Sequence, residues 1–226
     1  MGLVARVSTA HVSASPLSST NAGADYPWPV WGLRGDRHYE HQSDFFHSDL
    51  VESYALSHQR LGVRYADLGL WQKSLDELHK AWAMKWLMPE VAVYIGYALL
   101  RLDRLEESAS NYRLAIGLYE RASGLGLRYH SIPDLLRSIS RGCAEARANL
   151  GVVLERMGRR EEARGQYLEA IALAPDYAQP HYNLAVLYWE RDWEGVAREM
   201  SEVLRIEPAN AEAARYLSIA RGKLGR

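Results

Sequence analysis

Residues 144–177 read AEARANLGVVLERMGRREEARGQYLEAIALAPDY, and their spacing decides the fold. Leu150-Gly151, Leu154, Ala163, Tyr167, Ala170 and Pro175 fall where two short antiparallel helices need them. Gly151 and Ala163 are small where the two helices come together, while Leu150, Leu154 and Tyr167 fill the space between them. Ala170 lets the second helix lie against a following one. Pro175 cannot continue the helix, so the chain turns there. A unit of this kind cannot bury its own apolar face and requires neighbours.

The neighbours are in the sequence. Leu61-Gly62, Ile95-Gly96, Leu184-Ala185 and Leu217-Ser218 repeat Leu150-Gly151. The small residue of the second helix recurs as Ser74, Ser108, Ala163 and Val196, and the large one as Leu78, Tyr112, Tyr167 and Met200. A second small position recurs as Ala81, Ala115, Ala170 and Val203. This pattern resembles the tetratricopeptide-repeat (TPR) family, whose unit is a helix–turn–helix of about 34 residues. Two departures are a long step between the second and third units and one residue lost from the turn of the fourth. The terminal proline is also absent from the second unit, where Glu120 stands.

The resemblance implies an all-α, right-handed α-solenoid of about four units. The repeats are expected at 55–88, 89–122, 144–177 and 178–210, with an insert at 123–143 and a capping helix at 211–226. In the insert, two glycines and Pro133 mark a loop over 124–133. A helix is expected to start near Ser131–Asp134 and run on to Met157, lengthening the first helix of the third unit, with a longer second helix of the second unit as a further expectation. Residues 1–24, small and polar with no acidic group, are expected to be disordered. Residues 25–48 carry Tyr26, Trp28, Trp31, Tyr39, Phe45 and Phe46 with Pro27 and Pro29, and are read as an irregular aromatic strap lying against the first repeat and covering its apolar end. Ser48 then reads as the N-cap of the first solenoid helix, opening the region 49–226.

Composition narrows the function. A net charge of −1 and a pI near 6.7 give no global field toward nucleic acid or anionic membrane. No run of 18 apolar residues exists, so no segment inserts into a bilayer. The first fifteen residues lack the apolar core of a secretory signal, which points to a cytoplasmic protein. A loose likeness of Trp31–Leu70 to stretches that join bacterial membrane proteins to trailing TPR units points instead to an extracytoplasmic fragment. Cys143 is a lone cysteine on a helix and reads as a packed thiol. His38, His41 and His47 with Asp36, Asp44 and Asp49 follow no established ligand spacing, so no metal is assigned. Asp76-Glu77, Glu106-Glu107 and Glu161-Glu162 read as helix-start acids favouring the dipole. No phosphate loop, nucleophile elbow or Cys/His metal spacing is present. The chain is therefore expected to be non-catalytic, with no cofactor.

In TPR proteins one side of each first helix lines a concave groove that takes an extended peptide or partner helix. Carried over by register, the resemblance implies Arg60, Tyr94, Tyr97 and Arg101 in the first two units. It implies Asn149, Val152 and Arg156 in the third, Tyr182, Asn183 and Trp189 in the fourth, and Tyr216 in the cap. Asn149 and Asn183 share a repeat position and are similar to the asparagines with which superhelical TPR proteins grip peptide main chain, since each amide donates and accepts. The basic clamp for an acidic C-terminus is absent, with Gln59, Val63, Glu90 and Tyr94 in its place. A protein-binding scaffold is the leading expectation, and a TPR tail or subunit of a larger enzyme or membrane assembly the alternative.

Overall fold

The computed structural model describes residues 43–84, 88–128 and 133–225. The strap up to residue 42, the disordered expectation for 1–24, and His38 and His41 lie outside these residues, as does the His47 side chain. The chain divides into two units, Met1–Asp49 and Leu50–Arg226; of the first, only the helical start at 43–49 is described.

Nine helices and no strand occur among the described residues. They are α1 (Ser43–Asp67), α2 (Trp71–Met84), α3 (Pro89–Arg101), α4 (Leu105–Arg128) and α5 (Pro133–Arg156). They continue as α6 (Arg160–Leu173), α7 (Ala178–Tyr188), α8 (Trp193–Ile206) and α9 (Ala211–Lys223). From α2 onward each helix packs on its chain neighbour, and α3 also meets α5 as α5 meets α7. The odd helices thus form one row and the even helices lie behind them.

The turn inside each unit shows why these residues stop a helix. Gly69, Asp103 and Gly158 share one repeat position, and all three have positive φ, at 71°, 61° and 77°. A left-handed residue there closes the helix end with a six-residue hydrogen bond. Leu70, Arg104 and Arg159 donate their backbone N–H to Tyr65, Leu99 and Leu154 at 2.9, 2.9 and 2.8 Å. The fourth unit has lost a residue and closes differently. Glu190 takes the positive φ of 62°, and Asp192 and Arg191 both donate to the Tyr188 carbonyl at 3.0 Å. Asp192 then caps α8 by accepting from the Gly195 N–H at 2.8 Å.

Inside each unit the glycine of the first helix sits against the large residue of the second. A Cβ on Gly96 would lie 3.0 Å from the Tyr112 ring, and one on Gly151 would overlap the Tyr167 ring outright. Tyr112, Tyr167, Leu78 and Met200 are fully buried, with Ser108 donating to the Gly96 carbonyl at 2.7 Å. Where the first helix carries Ala185 instead of glycine, the facing residue is the flexible Met200.

Three expectations change. Helix α1 begins at Ser43, so residues 43–48 are helical rather than part of an irregular strap. Helix α4 continues through Gly124 and Gly126 to Arg128 in place of the expected loop. Each glycine costs about 1 kcal/mol in a helix interior, but α4 is held against a lengthened α5. Their approach is close enough that a Cβ on Gly142 would meet the Tyr119 ring at 2.6 Å. The insert therefore lengthens both helices of the second-to-third step. Finally, Asp76-Glu77 lie well inside α2, whose first turn has no acid.

Candidate functional site

The odd-helix row carries the residues singled out from sequence, but the structure treats them unequally. Tyr94 and Tyr97 stand on α3, exposed at 37% and 38%. Tyr97 meets Trp71 edge-on, with ring centroids 5.7 Å apart, and the Arg101 guanidinium lies 4.8 Å from the Trp71 centroid. Arg60 and Tyr94 share a cleft between α1 and α3 with Leu56, Gln59 and Val63. The Gln59 Oε1 is buried there without a hydrogen-bond partner among the described residues.

In the third unit, Asn149 is half-buried on α5 and Val152 packs against the core. Arg156 turns back onto the preceding unit. It donates to the Leu100 carbonyl at 3.0 Å and to Asp103 Oδ1 at 2.8 Å. In the fourth unit, Asn183 Oδ1 accepts from Gln179 Nε2 at 2.8 Å. Tyr182, Trp189 and Tyr216 come together, and Trp193 joins them. Ring centroids lie 6.0 Å apart for Tyr182–Tyr216, 5.2 Å for Trp189–Tyr216 and 4.9 Å for Trp189–Trp193, all edge-to-face. Trp189 is the C-cap of α7, since the shortened turn ends that helix at Tyr188. Tyr216 donates to Glu212 at 3.2 Å. Burial, then hydrogen bonds to Glu212 and Tyr216, push the Tyr182 phenol above its ordinary value. These rings bury one another, so this end of the row is a packed cluster, while the α3 end presents free ring surface.

Repeat register would have found the residues that sequence reading passed over. Trp71 and Trp193 open α2 and α8 at equivalent positions, and Arg101 and Lys223 end α3 and α9 at equivalent positions. Each cation reaches back to the tryptophan of the preceding unit, Lys223 lying 6.0 Å from the Trp193 centroid. Arg156 holds the same position and reaches back to Leu100 and Asp103 instead. At the last interior step the polarity reverses: Glu190 stands at the cation position, and Arg160 donates forward to the Leu187 carbonyl at 2.5 Å.

A second recurrent pair ties the two helices of a unit. His58 and Glu77 meet at 2.6 Å, and His181 and Glu199 at 2.8 Å, at matching positions of the first and fourth units. Arg147 and Gln166 hold that position in the third, at 3.3 Å. Arg147 also binds Glu120 at 2.6 Å and Glu169, pinning α4, α5 and α6 together. Burial raises the Glu199 carboxyl, yet hydrogen bonds from His181 and Arg198 lower it more, leaving it below its ordinary range. Glu77 is likewise lowered: Lys80 and His58 outweigh its burial. Burial pushes the thiol of the buried Cys143 up, which makes it a poor nucleophile. Among the described residues no group of three His, Cys, Asp or Glu could hold a metal, and no helix is long and apolar enough to cross a membrane.

Aromatic rings, amides and guanidinium groups along a row of helices can hold another chain. A protein-family model described as TPR repeat matches residues 157–191, the second helix of the third unit and the first of the fourth. This match and the succession of paired helices give the described residues the fold of tetratricopeptide-repeat proteins. Similar solved structures have the same fold. One is the APC/C hetero-tetramer Cut9–Hcn1, with 17% identity and TM-score 0.62 over 81% of this chain and 34% of that one. This chain thus spans about a third of that relative's length. BtubC (BKLC) from P. vanneervenii is 16% identical with TM-score 0.61, covering 82% of this chain and 79% of its own. The MamA protein is 15% identical with TM-score 0.56, covering 76% and 83%. None of the curated proteins matches the chain.

Proposed function

We propose that the odd-helix row is a groove that holds an extended peptide or a partner helix of another protein. One observation carries this reading: Tyr94 and Tyr97 present exposed ring surface on the same helix face, beside the cleft that Arg60 lines. Tyrosine gives large contact area at small entropic cost, because few torsions must be fixed. Asn149, at the middle of the row, supplies an amide that can both donate to and accept from a peptide main chain. Tyr182, Trp189 and Tyr216 form the packed end of the groove, and Arg101 and Arg156 shape its rim through intramolecular contacts.

The test is a peptide selected from a displayed random library against the full chain, then titrated against variants. Tyr97→Ala is expected to weaken it by about 1–2 kcal/mol with little change in thermal midpoint. Trp189→Ala is expected to lower the midpoint as well, since it opens the aromatic cluster. A selected peptide indifferent to Tyr94, Tyr97 and Asn149 substitutions would dismiss the groove.

A further inference from the structure

Helix α1 exposes a stripe that the later units hide. Tyr54 and Leu61 are seven residues apart and so lie along one face of α1, and Leu68, the first residue of the turn that follows, stands seven further on. They are 56%, 41% and 60% exposed. The repeat equivalents of Leu61 are Ile95, Leu150, Leu184 and Leu217, exposed by only 3%, 3%, 0% and 8%. Those of Tyr54 include the buried Met88 and Cys143, and those of Leu68 include the half-buried Leu102 and Met157. In the second and third units the sequence also places apolar residues at all three positions, so there only the neighbour differs. Helices α3, α5, α7 and α9 each have the second helix of the unit before packed on them. Among the described residues no helix precedes α1.

We infer that this face of α1 docks an amphipathic helix of a partner protein, with carboxylates beside its apolar stripe. The inference shares Arg60 with the groove reading but rests on the Tyr54, Leu61 and Leu68 stripe, whereas that reading rests on Tyr94 and Tyr97 of α3. Continuity supports it, since the same face is a helix–helix interface in every later unit, each time closed by a helix with a small residue (Ala81, Ala115, Ala170 or Val203). Charge supports the acidic flank. Arg60, next to Leu61, has no carboxylate partner among the described residues, and Arg64 reaches Asp67 only at 4.0 Å. A second copy of this chain fits less well, because antiparallel pairing of α1 about Leu61 sets Arg60 against its own image.

The test uses a labelled synthetic helix of roughly 20 residues with a leucine and alanine stripe flanked by glutamate, and a twin with lysine for glutamate. Fluorescence anisotropy with the full chain is expected to show the glutamate helix binding at least about tenfold tighter than its twin. Leu61→Glu and, separately, the more exposed Leu68→Glu are expected to weaken it by a similar factor, while Tyr97→Ala leaves it unchanged. Circular dichroism establishes that each variant folds, and Leu68→Glu keeps the test decisive if Leu61→Glu does not. No binding, equal binding of the twins, or binding lost in Tyr97→Ala but kept in both α1 variants would overturn the inference. So would sedimentation with phosphatidylserine vesicles that Leu61→Glu abolishes, which would assign the stripe to lipid.

Discussion

Arg156, at the end of α5, closes over the end of α3: one guanidinium nitrogen donates to the Leu100 carbonyl and another to Asp103. It adds a charged donor to a helix-terminal carbonyl that otherwise accepts only from the turn, where the Asp103 N–H lies at 3.2 Å, and it bridges the long step between the second and third units. The Asp103 part of the contact is solvent-exposed and weak, so the carbonyl bond carries most of the effect. Arg156→Ala is expected to cost about 1 kcal/mol in urea unfolding, and Arg156→Lys to recover only part, since a single ammonium lacks the planar fork.

Gly151 is set by what faces it. Its Cβ position is already filled by the Tyr167 ring, itself held by a 2.6 Å hydrogen bond to Glu155. Gly151→Ala is expected to destabilise by about 1–3 kcal/mol, read as a shift of the urea midpoint. The double change Gly151→Ala, Tyr167→Met copies the Ala185–Met200 pair of the fourth unit and is expected to be less destabilised than Gly151→Ala alone.

Glu190 holds, in the shortened turn of the fourth unit, the left-handed backbone that glycine takes in the turns of two of the other three units. Glu190→Gly is expected to raise stability by about 1 kcal/mol in the same assay. At Asp103 the equivalent change is expected to gain less, because it also removes the carboxylate that Arg156 binds.

The His181–Glu199 pair predicts an acid-side dependence. The Glu199 carboxyl is depressed in the folded chain below its ordinary 4.5, so its contribution is fully present above that value. It is lost as pH falls from 4.5 through the depressed value, because the unfolded chain then binds the proton more readily. Glu77 adds a loss of the same sign. Thermal midpoints are expected to fall below pH 4.5. In Glu199→Gln the midpoint starts lower at neutral pH, and the fall on acidification is shallower. Equal slopes in the two proteins would remove the pair from this account.

The paired-helix fold was readable because its residue classes return at a fixed period: glycine or alanine in the first helix, a large residue facing it, and a small one toward the next unit. The site was only partly readable. Register placed Tyr94 and Tyr97 on the row where they stand exposed, yet gave no sign that Tyr182, Trp189 and Tyr216 would pack on one another. Nor did it show that Arg156 would be spent on a carbonyl in the preceding unit. The His–Glu ties and the tryptophan–cation corners were present in the register but unremarked, because each recurs in only two units.

Sequence alone determined which residues face inward within a unit, since that depends on contacts a few residues to a few turns away, fixed by helical period and a short turn. Tertiary structure decided which side chains remained available to another chain. That depends on which neighbour lies across the helix, and on whether a long cation or an aromatic ring finds an internal partner first. Leu61 and Leu184 hold one repeat position; stacking alone leaves the first exposed and the second buried.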